Sequence, residues 1–195
     1  GRLGVGTTEP EGRFAVLDEP GDMEEFPPRA MTGERTACQT YIEGHGVFRA
    51  SSSSNHGSAG SVPGGFDKQS STYWHASGTY YDGTNNSYGS SGPSSLAGIR
   101  GEWLKLEMPY KITLSSIGIR SRRGFADQSP EDFTILGSND GENWSTIQFF
   151  TGKSPVDSHS TTIPITTNPG AYNSFAIVTT RTVNSIYHSI GELRY

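Results

Sequence analysis

The sequence predicts an all-β protein, an antiparallel sandwich, on three observations. Composition comes first: 32% of residues are hydrophobic, 18% are charged, and Gly supplies 25 of 195. A chain rich in turn formers and poor in helix formers folds as strands. Second, apolar residues alternate where the pattern is clearest. In Glu102–Met108, Leu104, Leu106 and Met108 interleave with Trp103, Lys105 and Glu107, which is the period of a strand with one buried face. Third, Pro and Gly punctuate nearly every gap, and no segment carries a convincing amphipathic helix. The length suits one moderate domain with a small appendage.

The same composition excludes function classes. The net charge is −5 with no long basic run, which argues against nucleic-acid binding. No apolar run approaches a membrane span. The single cysteine, Cys38, makes no internal disulfide, so a core, with or without a metal, must hold the fold. The chain starts at Gly1 with neither an initiating Met nor a signal peptide, and is read as a fragment of something longer.

Residues 1–40 differ in character from the rest of the chain. Leu3 and Val5 alternate as in a short strand, a Pro turn comes next, and Phe14–Leu17 reads as a second strand. Gly4-x-Gly6 lacks the strand–helix unit of a nucleotide loop. Asp18–Arg29 is acidic and Pro-rich with few apolar residues. This piece buries little alone and is read as an extension that packs on sister chains or on the main domain, residues 41–195. In that domain Val47–Ala50 begins the strands, and Ser51–Ser61 reads as a loop. After Met108, Ile112 and Leu114 change phase with Ile117 and Ile119, predicting a bend between two strands at Ser115-Ser116. Phe133 and Ile135 lie on the next strand, Ser138–Gly141 is a tight reversal, and Trp144–Phe150 pairs back. Ile163 and Ile165, Phe175–Thr179 and Ile186–Leu193 supply the last strands. Roughly eight strands and no helix favour a Greek-key or jelly-roll sandwich.

Two loops stand out. Gly64–His75 places the carboxylate of Asp67, the hydroxyl of Thr72 and several carbonyls in one short stretch before Trp74. These are hard oxygen donors of the kind Ca²⁺ accepts; an Asp-capped turn before a strand uses the same residues. Residues 76–100 form a long loop with Tyr80, Tyr81 and Tyr88. Those rings either meet a ligand or cover an open end of the core.

Four stretches carry a resemblance: Ala50–Ser53; Gly65-Phe66-Asp67 with Ser71–His75; Glu102–Leu106 with Tyr110–Thr113; and Phe133 with Gly137–Trp144. Taken in order, and with the ending Ile190–Arg194, they resemble a discoidin or coagulation-factor type C domain of the galactose-binding-like superfamily. The resemblance covers about residues 45–195. It implies an eight-stranded antiparallel jelly-roll sandwich used as a binding module for glycans, phospholipid head groups or proteins, and rarely catalytic. The start, Gly-x-Leu-Gly-Val-Gly-Thr-Thr-x-Pro followed by Phe-x-Val, resembles a short repeat of phage and large-virus fibre proteins. Cys38 has no partner for the disulfide of vertebrate members, which favours the bacterial or viral carbohydrate-binding type. Lys68 stands where the family often has Gly.

The resemblance implies a structural Ca²⁺. Its shell would draw on the carbonyls of Gly64, Gln69 and Gly191, the carboxylates of Asp67 and Glu192, and Thr72 by carbonyl and hydroxyl. It also implies a sugar site at one end of the sandwich, where His and Arg bond hydroxyls and a ring covers an apolar sugar face. The candidates are His75, Arg122, Arg123 and Gln128 as polar contacts, with Phe125 or Tyr80 as platform. A solvated rim is the alternative for Arg120, Arg122 and Arg123. There is no Gly-x-Ser-x-Gly elbow, and the histidines lack metalloprotease spacing. The expectation is a non-catalytic lectin-like adhesion module of a virion or cell-surface fibre. Its partners would be a cell-surface or polysaccharide glycan and further copies of itself, as a trimer joined through residues 1–40. The alternatives are an assembly module with a degenerate sugar site and a membrane- or protein-surface binder. The sequons Asn85-Asn86-Ser87 and Asn143-Trp144-Ser145 matter only on a eukaryotic secretory route.

Overall fold

The computed structural model describes residues 24–37, 46–57, 60–156 and 160–195. Their strands are β1 (Arg35–Ala37), β2 (Val47–Ser52), β3 (Trp74–His75), β4 (Ser95–Leu96), β5 (Ile99–Arg100), β6 (Glu102–Ile112), β7 (Ser116–Arg120), β8 (Pro130–Ser138), β9 (Trp144–Phe150), β10 (Thr161–Pro164), β11 (Tyr172–Thr182), β12 (Ser189–Ile190) and β13 (Glu192–Arg194). Six strands in the order β1-β2-β6-β11-β8-β9 make one sheet, and β10-β7-β13 make the second. Every pairing is antiparallel. Two short pairs, β12-β3 and β4-β5, lie outside both sheets.

The predicted alternation explains how the sheets face each other. Leu104, Leu106 and Met108 on β6 point inward beside Phe48, Phe133, Ile135, Phe175 and Ile177. They meet Ile117 and Ile119 of β7, Ile163 of β10 and Leu193 of β13 from the other sheet. Burying each such side chain is worth about 1.5–3 kcal/mol. The bend at Ser115-Ser116 is the point where the chain leaves the large sheet at β6 and enters the small one at β7. A second, smaller cluster lies on the outer side: Leu136, Ala176 and Val178 are covered by Leu96, Ile99, Trp103 and Trp144. The β4-β5 hairpin thus explains why β8 and β11 are apolar on both faces.

Of the two placements read for the N-terminal extension, on sister chains or on the main domain, the described residues 24–37 show the second. Phe26 and Met31 are buried in the main core, and Phe26 exchanges backbone hydrogen bonds with Tyr195 at 2.8 and 3.0 Å. β1 is an edge strand of the large sheet. The acidic, Pro-rich run hid Phe26, and Met31 follows just past its end. The predicted strands at Leu3–Val5 and Phe14–Leu17, and Cys38, lie outside the described residues. One expectation changes, at the C-terminus, where Ile186–Leu193 is not one strand. Ile186 and Tyr187 are exposed in a loop, and pairing begins only at Ser189.

The loop of residues 76–94 is folded back onto the sheet. Tyr81 is buried and donates to the Thr179 carbonyl at 3.0 Å. Glu102, almost fully buried, collects the hydroxyls of Ser53, Ser54 (2.8 Å), Ser94 (3.3 Å) and Tyr88 (3.4 Å). Of the two readings of the tyrosines, covering the core end is what Tyr81 does.

Candidate functional site

Four segments converge at one end of the sandwich. β3 pairs with β12, placing His75 opposite Ser189 and Trp74 opposite Ile190. His56 donates its backbone N–H to the His75 carbonyl at 2.9 Å, and Ala76 donates to His188 at 3.0 Å. The 122–129 loop turns tightly through Phe125 N–H to Arg122 O (2.9 Å) and Gln128 N–H to Phe125 O (3.1 Å), with Gly124 at φ 76°. That conformation favours glycine. Asn184 and Val183 close the end with bonds to Asp127 and Ser129.

Arg122 is the centre of this arrangement. Its guanidinium carbon lies 4.0 Å from the Tyr73 ring centroid and 3.9 Å from that of Phe125. A guanidinium held against two rings keeps its N–H groups as donors. One edge reaches Gln128 Oε1 at 3.4 Å. No described ion pair includes Arg122 or Arg123. His75 Nδ1 meets the Ala76 carbonyl at 2.6 Å. A carbonyl only accepts, so Nδ1 carries the hydrogen and Nε2 is left as an acceptor in the neutral ring. Burial holds the His75 pKa below the usual range; the Ala76 bond opposes this, and His56 and Arg122 add to it. The ring is therefore neutral near pH 7. His56 and Tyr187 flank His75 at ring separations of 4.9 and 5.8 Å. Phe125 is 42% and Tyr187 40% exposed, so two partly exposed rings border the polar groups.

Of the sequence candidates, His75, Arg122 and Phe125 come together. Gln128 supports them from behind. It is buried, and its Oε1 also accepts from Ser189 Oγ at 2.9 Å. Arg123 is exposed beside the cluster. Tyr80 packs elsewhere, edge-to-face on Tyr88 at 6.2 Å and over Gly78. Tyr73, His56 and Tyr187 were missed. Tyr73 was findable, because it and His75 flank the inward Trp74 and so share the opposite face. His56 and Tyr187 arrive through tertiary pairing and leave no local signal.

The proposed metal donors meet at a different place, the joint between the 64–72 loop and β13. Asp67 Oδ1 accepts from Gln69 N–H at 3.0 Å and from the Thr72 hydroxyl at 2.7 Å. Glu192 Oε2 accepts the Lys68 N–H at 2.9 Å. Gly64 lies tight against the Tyr73 backbone, since a Cβ there would sit 2.6 Å from its carbonyl. Arg120 Nη2 donates to the carbonyls of Gln69 (2.6 Å) and Gly191 (3.1 Å), two of the expected Ca²⁺ ligands. The Glu192 carboxylate lies between guanidinium groups, with Oε2 3.7 Å from Arg120 and Oε1 3.8 Å from Arg194. Burial pushes Glu192 up to about 7 against the pull of Arg194 and Arg120. Among the described residues no cluster of three His, Cys, Asp or Glu side chains could hold a metal. In this arrangement the expected Ca²⁺ donors face the Arg120 guanidinium. Two donor carbonyls are already bonded, and a dication on Glu192 would lie between two cationic side chains.

Comparison with known proteins agrees with this fold. The structure is similar to the family 32 carbohydrate-binding module of Clostridium perfringens NanJ, solved with galactose. Identity is 18%, TM-score 0.55, with 75% of this chain and 91% of that chain covered. It is similar to chitosan-binding module 1 of a chitosanase/glucanase from Paenibacillus sp. IK-5, at 18% identity and TM-score 0.51, with 74% and 91% covered. The module of AlyQ solved with 4,5-unsaturated mannuronic acid matches at 14% identity and TM-score 0.53, with 74% and 91% covered. No curated protein matches the chain. The profile of the F5/8 type C domain matches residues 49–189. With that match across most of the chain and a jelly-roll sandwich beneath it, this chain belongs to the F5/8 type C, or discoidin, domain family.

Proposed function

We propose that the chain binds a glycan, without catalysis, at the end of the sandwich formed by residues 54–56, 73–76, 122–128 and 186–188. The observation that carries this is Arg122, its guanidinium stacked between two rings with N–H edges available, beside His75 and the exposed Phe125 and Tyr187. The guanidinium fork suits vicinal hydroxyls or a carboxylate, His75 Nε2 accepts a hydroxyl, and a free aromatic face covers the apolar side of a sugar ring. Similar structures carry galactose and an unsaturated uronic acid, and another is a chitosan-binding module.

The charges favour an acidic sugar over a cationic one. Arg122 and Arg123 have no described ion-pair partner, and the charges acting on His75 are cationic, although the chain carries −5 overall. A local positive field in an acidic protein selects a carboxylated ligand and opposes an amino sugar. The setting proposed with it is attachment, outside the cell or on a virion surface, in a fibre protein whose copies join through the N-terminal segment. The fibre-like pattern at Gly1–Leu17 is what supports that setting.

Calorimetric titration with galacturonate, galactose and chitotriose tests the reading. Galacturonate binding ahead of galactose, with the gap narrowing as salt is raised, is the expected result. Folded protein that binds none of the three, and no sugar on a glycan array, removes it.

A further inference from the structure

We infer that the guanidinium of Arg120 is the resident cation of the joint between the 64–72 loop and the closing strand, and that the joint therefore closes without a metal ion. The placement comes from register. β7 and β13 pair with Glu192 opposite Arg120, so the sequence sets a buried base against a buried acid. Arg120 is 9% exposed and Glu192 is fully buried.

The loop meets the strand through this side chain and through the Lys68 N–H, which donates to Glu192 Oε2 at 2.9 Å. Nη2 donates to Gln69 O in the loop and to Gly191 O before the strand, while the Arg120 carbonyl accepts the Gly191 N–H at 2.9 Å. Gly191 is required for that approach, since a Cβ there would lie 2.3 Å from the Ser121 carbonyl. A planar donor group that bridges two carbonyls while facing a carboxylate supplies what an oxygen-bound cation supplies: positive charge and several fixed directions. Acidic and basic side chains alternate around the joint. Glu25, Asp67 and Glu192 face Lys68, Arg120 and Arg194, with Glu25 bridging Lys68 and Arg194. Asp67 serves as a turn cap, accepting from Gln69 and Thr72 within its own loop. Because this loop leads directly into Trp74 and His75, the inference extends to function: the ligand end is held in place without Ca²⁺.

The test begins with the unaltered protein at pH 7.5. Its melting temperature should be the same after exhaustive chelation and after millimolar CaCl₂ is restored, and titration with CaCl₂ should give no saturable heat. A drop on chelation that Ca²⁺ reverses overturns the inference, as does saturable Ca²⁺ binding. Variants supply the second arm. Arg120→Ala should melt lower by more than about 5 °C or fail to fold, and Arg120→Lys, which keeps the charge but not the fork, should recover part of the loss. An Arg120→Ala protein that melts like the parent overturns it too, and so does Arg120→Lys that recovers nothing.

Discussion

Arg120 and Arg122 stand two residues apart, and the chain uses them in opposite ways. Arg120 ends β7 with its side chain inside, bridging two carbonyls and facing a buried carboxylate. Arg122 lies past the strand end, stacked between Tyr73 and Phe125, with one long contact to Gln128. One guanidinium is consumed by the fold; the other is presented by it. The difference teaches that residue type does not separate structure from function here, and that the number of protein acceptors around each donor does.

The largest expected effect breaks the comparison from the buried side. Removing one partner of a buried pair leaves the other charge uncompensated, so Arg120→Ala should cost about 3–5 kcal/mol. Arg122→Ala gives up stacking on two rings and should cost about 1 kcal/mol. Chemical denaturation of the two variants side by side checks this. Equal losses would mean that Arg122 is also structural.

A second test uses pH. His188 is fully buried beneath the site, edge-on to Trp74 at 5.1 Å, with Nδ1 3.1 Å from the Gln128 carbonyl. Burial lowers its pKa from 6.5 to about 4. The unfolded chain therefore takes up a proton that the folded chain refuses. The stabilisation is complete above pH 6.5 and is lost as pH falls toward 4, on the order of 3 kcal/mol. His75 is lowered in the same direction and adds to the slope. Glu192, raised to about 7, acts with the opposite sign over the same range, so the His188 contribution is read against a variant: the stability margin of the parent over His188→Gln should shrink as pH falls from 7 to 4.5. A margin that does not change with pH would show that His188 is not held neutral.

Much of this fold was legible in the sequence because it rests on local rules. Alternation at Leu104, Leu106 and Met108 gave β6, and the phase change at Ser115-Ser116 gave the passage between sheets. The site was legible in part. His75 and Arg122 came with the family motif, and Tyr73 was implied by the inward Trp74. What stayed hidden depends on distant pairing. Phe26 reaches Tyr195 across the chain, Tyr187 reaches His75 through β12, and the Arg120–Glu192 register exists only once β7 and β13 have met. The oxygen donors around Asp67 suggest a metal, and nothing in the linear sequence shows that a guanidinium enters among them from another strand.

The third test sharpens the presented side. Arg122→Ala should lower affinity for a carboxylated sugar at least about tenfold, since a charge-assisted hydrogen bond is worth about 1.5–3 kcal/mol. Its thermal stability should stay close to that of the parent. Arg123→Ala, at an exposed neighbour with no described ion pair, should lower affinity less and mainly at low salt. Equal losses in the two would mean that only net charge matters and that the stacked geometry does not.

The smallest effect is expected at Tyr80, and it decides which ring serves as the platform. Tyr80 is half-buried, leaning on Tyr88 at 6.2 Å and lying over Gly78, whose Cβ, if present, would fall inside its ring. Its described ring contact is with the 78–92 loop rather than with Arg122 or His75. Phe125 instead touches Arg122 and keeps 42% of its surface open. Replacing Phe125 with Ala should therefore weaken sugar binding several-fold, by loss of stacking surface and of the wall that orients Arg122. Tyr80→Ala should leave the affinity within about twofold, a difference below about 0.5 kcal/mol. Titration of both variants with the same sugar settles the assignment. If Tyr80→Ala loses binding and Phe125→Ala keeps it, the ligand lies over the 78–92 loop, and Arg122 is stacked for stability after all.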